Sequence, residues 1–218
     1  MFHRPLILAS TSPYRRVLLA RLGLPFLIES PQVDEAAARG ESPAGRAARL
    51  AAAKARAIAQ RHPDALVIGS DQVAALGDSV LDKPGNADRC RAQLAALAGQ
   101  TANFYTACAL VGLDAGIEHL HTAVTRVIAR ALTPDEISRY VEREQPFDCA
   151  GGFKVEALGI SLFERVESQD PTALVGLPLI WLASALRGAG LAVPGRHACV
   201  ALTRGRRLPP RDQAAAAH

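Results

Sequence analysis

Lysine, aromatic residues and any ordered cysteine pattern are all scarce in this chain. Cys90, Cys108, Cys149 and Cys199 are scattered without a CxxC pair, which excludes a paired-cysteine zinc site and a disulfide framework. No apolar run approaches the ~20 residues of a membrane helix. No long apolar core stands near the first residues either, so a cytoplasmic chain without a membrane partner is expected. Aromatics make up only 5% of the sequence, and no basic stripe is interleaved with them. That argues against a nucleic-acid partner, although the net charge is +4 and the pI about 9.1. Also missing are a GxxxxGK[ST] loop, a GxGxxG after a strand, an HExxH and a GxSxG. Each absence removes a familiar phosphate, dinucleotide, zinc or acyl-transfer chemistry. Among 25 basic residues only Lys54, Lys83 and Lys154 are lysine. Either chance left them, or a compact ammonium is needed there instead of a planar guanidinium.

What remains is an ordinary globular composition, 49% hydrophobic and 21% charged over 218 residues, enough for one large α/β domain or two small ones. The first informative stretch is Leu6-Ile7-Leu8-Ala9-Ser10-Thr11-Ser12-Pro13-Tyr14-Arg15-Arg16. Four apolar residues of strand character run into a helix, with Ser12 as N-cap and Pro13 at the first helical position. Val17, Leu18, Leu22 and Leu24 supply its apolar stripe. Arg15 and Arg16 sit where the helix end is already partly positive, which is unfavourable unless an anion sits among them. Free amides, Ser10, Ser12 and two guanidiniums make a polyphosphate or carboxylate site. A solvated arginine pair on a surface helix is the other reading.

Further along, residues 25–29 read as a strand, and a loop ends in Asp34-Glu35. Ser42 and Pro43 open an Ala- and Arg-rich helix to about residue 61, with apolar spacing at Ala47, Leu50, Ala51 and Ala55, and Lys54 on it. Residues 65–69 form a continuous apolar strand of the kind buried in parallel sheets. Ser70-Asp71-Gln72 is read at its carboxyl end, where open α/β sheets place ligands. Asp71 is there a candidate general base or metal ligand, or else a turn cap. Lys83 lies on a turn. Residues 87–97 read as a helix, and 101–112 and 117–131 as two paired β segments. His119 and His121 share a face of the second segment, with a solvent-facing pair favoured over a metal site because no third ligand is nearby. A helix capped by Thr133 runs over 134–144, a strand over 160–166 and a helix over 179–186. Between the first two lies the irregular stretch 148–156. From Pro194 onward Pro, Arg and Ala dominate without periodicity, which predicts a flexible tail over 191–218 behind a domain at 1–190.

Four stretches, in order, resemble the Maf family of nucleoside triphosphate pyrophosphatases, named for an effect on septum formation. They are Leu8-Ala9-Ser10-Thr11-Ser12-Pro13-Tyr14-Arg15-Arg16, Gly69-Ser70-Asp71-Gln72-Val73, Lys83-Pro84, and Cys149-Ala150-Gly151 with Val175-Gly176-Leu177-Pro178-Leu179. The resemblance implies an α/β fold with an elongated, mixed, twisted sheet flanked by helices, a central nucleotide cleft and a homodimer. It also implies cleavage of a nucleoside triphosphate between the α and β phosphates, giving a monophosphate and pyrophosphate with a divalent metal, Mg or Mn. Tyr14, Gln72 and Glu156 stand where the UTP/dTTP-cleaving branch has arginine, threonine and glutamine. With Cys149 and the Gly159-Ile160-Ser161-Leu162-Phe163-Glu164 stretch, they look like the branch that cleaves 7-methyl-GTP and clears modified nucleotides from the pool.

Chemistry points the same way. The N7-methylated ring is cationic, and an aromatic face attracts a cation by roughly 0.5–2 kcal/mol. Tyr14 supplies that face, and the Glu156 carboxylate can accept from the guanine N–H groups while offsetting the charge. The expected roles follow. Arg15 and Arg16, with Ser10 and Ser12, meet the triphosphate. Lys54 and Lys83 stabilise the departing pyrophosphate. Asp71 is general base or metal ligand, and Glu35 a second metal ligand or water-orienting acid. Without the resemblance the plainer reading is favoured for three of them, with Lys54 on an exposed helix face, Lys83 as turn decoration and Glu35 as a solvated loop acid. A nucleotide-binding regulator of cell division with little turnover is the alternative from another class.

Overall fold

The computed structural model describes residues 4–195 and 201–202. Strand β1 (Leu6–Ala9) alternates its side chains between two cores, Leu6 and Leu8 on one face and Ile7 and Ala9 on the other. Helix α1 (Pro13–Ala20) follows, with Ser12 accepting from the Arg15 N–H and Pro13 in the first turn. Strand β2 (Phe26–Glu29) and the long helix α2 (Pro43–Ala59) come next. The remaining elements are β3 (Leu66–Leu76), β4 (Ser79–Leu81), α3 (Ala87–Leu97), β5 (Thr101–Gly112), β6 (Ile117–Ala129), α4 (Pro134–Glu144), β7 (Phe163–Ser168), α5 (Leu179–Gly188) and β8 (Ala201–Leu202).

One mixed sheet holds all eight strands in the order β7-β6-β5-β3-β1-β2-β8, with β4 paired to β3. β1 runs parallel to β2 and β3, whereas β3, β5, β6 and β7 pair antiparallel. The long strands β3, β5 and β6 carry the sheet through two lobes. In the first, α1 and α5 cover one face through Leu18, Leu19 and Leu182, and α2 covers the other through Ala47, Ala51, Ala55 and Ile58. In the second, α3 and α4 pack on the far ends of the long strands around Leu94, Phe104, Val127, Tyr140 and Phe163. The expected α/β fold with a mixed sheet flanked by helices is the one observed.

Gly69 is why α2 lies so close to β3. A Cβ there would stand 2.2 Å from the Ala51 carbonyl oxygen and 2.6 Å from the Ala55 nitrogen. A glycine facing an alanine stripe lets helix backbone rest directly on strand backbone. That contact puts Lys54 of α2 beside Asp71, two residues past Gly69.

Several expectations shift. β3 does not stop at residue 69 but continues to Leu76, because β5 pairs with it antiparallel along its whole second half. Ser70, Asp71 and Gln72 are therefore mid-strand, at the junction of the lobes. Strand β4 was not foreseen. Leu76 and Ser79 pair across the two-residue turn Gly77-Asp78, with Gly77 at φ +57°, and Gly-Asp between apolar residues is a hairpin signal. Val17 is exposed, and Leu19 takes its place in the core. Residues 158–162 form a 3₁₀ turn rather than the start of a strand. His121 stacks on Trp181 at 5.3 Å while His119 is exposed. Of the expected tail, Leu191 and Val193 pack against the first lobe, the Gly195 N–H donates to the Leu22 carbonyl at 2.8 Å, and β8 adds in parallel to β2. Residues 196–200 and 203–218 lie outside the described ones. Among the described residues no helix is long and apolar enough to cross a membrane.

Candidate functional site

Between the lobes opens a cleft of about 610 Å³, and its floor is the middle of β3. Of the candidate residues, Ser10, Ser12, Tyr14, Arg15, Glu35, Lys54, Asp71, Gln72, Lys83 and Glu156 all line it. Arg16 does not. It is exposed on α1, because a helix turns about 100° per residue and only one of two adjacent arginines can face the cleft.

At the start of α1 the Ser12 N–H donates to Ser10 Oγ at 3.1 Å, and Arg15 Nη1 reaches the same oxygen at 3.5 Å. Arg15 Nε donates to the Gly176 carbonyl at 3.0 Å. That carbonyl also accepts from Ser70 Oγ at 2.9 Å, so it ties α1 to β3. Desolvation pulls the Arg15 guanidinium below its ordinary range, and Asp71 and Glu35 act against that. An arginine this sheltered is predisposed to take an anion that restores its charge pairing.

The centre of the cleft is a charge triad. Lys54 Nζ lies 2.7 Å from Asp71 Oδ1 and 2.6 Å from Glu35 Oε1. Lys54 and Asp71 are buried, whereas Glu35 stands at the exposed side of the ammonium. The hydrogen bond from Lys54 holds the Glu35 carboxyl below its ordinary range, against a smaller desolvation effect, with Lys83 and Arg15 adding to it. Lys54 is thus not on an exposed helix face; it bridges two acids. The second oxygen of each carboxylate makes no hydrogen bond among the described residues. Two carboxylates with free oxygens in one cleft suit Mg²⁺ or Mn²⁺, which take one or two protein carboxylates and complete their shell from other oxygens. No group of three or more His, Cys, Asp or Glu among the described residues is placed to hold a metal without such help.

At one end of the cleft stand Tyr14, Cys149 and Glu156. Cys149 Sγ lies 3.9 Å from Tyr14 Oη and 3.5 Å from Asp148 Oδ1. Burial first, and then Asp148, push the Cys149 thiol up to about 12, so it is neutral. Burial also raises the Tyr14 phenol, with Cys149, Asp148 and Glu156 adding to the shift. Glu156 is exposed at the rim, on a loop that α4 pins from below. Tyr140 Oη accepts from the Lys154 N–H at 3.1 Å, and Glu144 Oε2 from the Leu158 N–H at 3.2 Å.

Gln72 behaves differently from a simple ligand contact. Its Nε2 donates to Thr106 Oγ1 at 2.8 Å, Leu174 O at 3.0 Å and Ala173 O at 3.1 Å. Thr106 Oγ1 donates to the same Ala173 carbonyl at 2.9 Å. Gln72 and Thr106 clamp the turn that presents Gly176 to Arg15. Only the Gln72 carbonyl oxygen is left to face the cleft.

Two further features escaped the sequence reading. Asp170 is buried and accepts at Oδ2 from the Ile180 N–H at 2.7 Å, so it caps α5 from outside the helix. Arg46, on α2 two turns before Lys54, lines the cleft beside Glu35 and Asp82. Thr106 and Asp170 lie in no recognisable motif. For Arg46 the signal was available, since 46, 50 and 54 share one helix face.

The family model described as Maf-like protein matches residues 5–189. A protein of Xanthomonas axonopodis pv. citri named 7-methyl-GTP pyrophosphatase is 56% identical over 189 residues, 87% of this chain and 98% of that one. Proteins of the same name from a Polaromonas species and from Aromatoleum aromaticum are 54% identical over 190 residues and 52% over 194. The first match covers 87% of each chain, the second 89% of this chain and all of the other.

Proposed function

Because the chain belongs to the Maf family, we propose that it hydrolyses 7-methyl-GTP to 7-methyl-GMP and pyrophosphate. The observation that carries this reading is the pairing of two ends in one cleft. Tyr14 and Glu156 stand at one end, and the Asp71–Lys54–Glu35 triad lies beyond Arg15. The relatives named 7-methyl-GTP pyrophosphatase support the substrate.

In this reading the cationic base lies against the Tyr14 ring, and Glu156 accepts from its N–H edge. Arg15, with Ser10 and the first amides of α1, holds the α phosphate. Water attacks the α phosphorus and its proton passes to Asp71 Oδ2. The bond to the bridging oxygen breaks, and pyrophosphate leaves with its charge met by Lys83 and Lys54. Glu35, and Asp71 in the alternative to its role as base, are the residues that would hold a divalent cation. When bound, such an ion neutralises phosphate charge and acidifies water.

Glu156→Gln tests the base end. It removes the charge that answers the methylated ring, so the ratio of kcat/KM for 7-methyl-GTP over GTP should fall by about tenfold, the worth of one charge-assisted hydrogen bond. An unchanged ratio would remove Glu156 from base recognition.

A further inference from the structure

Arg46, like Lys54, is a cleft cation that none of the four family-like stretches contains. It projects from the same face of α2 as Leu50 and Lys54, and all three line the cleft. Its Nη2 donates to the Glu35 carbonyl at 3.3 Å, and Nη1 lies 3.9 Å from Asp82 Oδ1. The second contact is weak, because the Asp82 side chain is 68% exposed. Nε is buried and has no hydrogen-bond partner among the described residues. A guanidinium whose ion pair is long and solvent-exposed has its Nη groups available, and in a cleft already rich in cations they fit the paired oxygens of a phosphate group.

Its place along the cleft says which phosphate. Tyr14, Cys149 and Glu156 mark the base end. Arg15 follows, then Asp71, Lys54 and Glu35. Arg46 lies beyond Glu35, against the Asp82-Lys83 turn. A triphosphate laid from the base end therefore brings its terminal phosphates to Arg46.

Building on the function proposed above, we propose that Arg46 binds the β and γ phosphates, the part that leaves as pyrophosphate. The guanidinium then gives up its long contact with Asp82 and keeps its hold on the Glu35 backbone. It is a binding residue for the leaving group, carried on α2 whereas Arg15 is carried on α1.

The test is Arg46→Ala and Arg46→Lys in the full chain, with thermal melting to verify folding. Inhibition constants are measured for inorganic pyrophosphate and for 7-methyl-GMP, with KM for 7-methyl-GTP. Arg46→Ala should weaken pyrophosphate inhibition and raise KM by about tenfold each, while 7-methyl-GMP inhibition stays within twofold. Arg46→Lys should recover part of the loss, because it keeps the charge but not the fork. Unchanged pyrophosphate inhibition would overturn the proposal. So would equal weakening for pyrophosphate and 7-methyl-GMP, which would make Arg46 a prop for the Glu35 loop. Were the protein to turn over no nucleotide at all, the proposed function would fail, and calorimetric pyrophosphate binding by wild type and Arg46→Ala would still decide the role of Arg46.

Discussion

Lys54 donates from Nζ to Asp71 Oδ1 at 2.7 Å, and both side chains are buried at the junction of the two lobes. The pair joins a helix to the strand beneath it and fixes the orientation of the buried acid at the middle of the cleft. Removing either partner has different consequences. Asp71→Asn keeps the shape and an oxygen for Lys54, but it loses the proton acceptor. Turnover should fall by at least about 100-fold, while 7-methyl-GTP binding measured by calorimetry persists. Wild-type-like turnover would take Asp71 out of the chemistry. Lys54→Met leaves Asp71 and Glu35 without the ammonium between them. It should lower unfolding free energy by about 3 kcal/mol in denaturant melts, the low end for breaking a buried pair, because cleft water reaches both acids.

Glu35 gives the pH dependence. Its folded pKa lies below the ordinary carboxylate value because Lys54 hydrogen-bonds to it. A depressed carboxylate contributes stability above its unfolded pKa and loses it as pH falls through the folded one. Carboxyl ¹³C titration should place Glu35 below free glutamate in the wild type, and Lys54→Met should move it upward. A Glu35 titration that ignores Lys54→Met would show that the ion pair is not formed in solution.

Gly69→Ala tests the spacing between α2 and β3. The added methyl meets backbone of α2, not a flexible side chain, so the helix must move. A loss of about 1–3 kcal/mol is expected from overpacking, together with reduced turnover, since Lys54 moves away from Asp71. A variant with wild-type melting and activity would contradict the close contact.

Thr106→Val removes one hydroxyl from the clamp on Ala173 and leaves Gln72 alone to hold it. With a buried carbonyl losing a partner, a cost of about 1–3 kcal/mol follows. Since the turn presents Gly176 to Arg15, KM for the triphosphate should rise in parallel. A fall in stability with unchanged KM would uncouple the clamp from Arg15.

Much of this architecture was legible in the chain because local and global signals coincide in it. Ser12 and Pro13 announce α1, the alanine spacing announces α2, and Thr133 with Glu136 forms a capping box at α4. What was not legible depends on pairing. Ser70-Asp71-Gln72 looks like the end of a strand, because three polar residues interrupt an apolar run. Only β5, a distant partner, makes the segment continuous. Arg15 and Arg16 are equivalent in the sequence, and only the helical rotation tells the cleft-facing one from the exposed one. Through the resemblance Lys54 reads as a counterion for pyrophosphate, a role the proposed function keeps beside its bridging of Asp71 and Glu35. Its burial between Asp71 and Glu35 depends on how closely α2 sits on Gly69, which no spacing along α2 reveals. Gln72 enters through the resemblance as a position that marks the branch, and nothing along the sequence shows that its amide nitrogen is taken up by the 173–175 turn, far away in the chain.

The most direct measurement is pyrophosphate release with Mg²⁺ or Mn²⁺ across 7-methyl-GTP, GTP, UTP, dTTP, CTP and ATP, with the nucleotide product identified by mass. The account predicts that 7-methyl-GTP is the preferred substrate and that 7-methyl-GMP is its product. Preference for UTP or dTTP would contradict the roles given to Tyr14 and Glu156, and no release from any nucleotide would contradict hydrolysis itself.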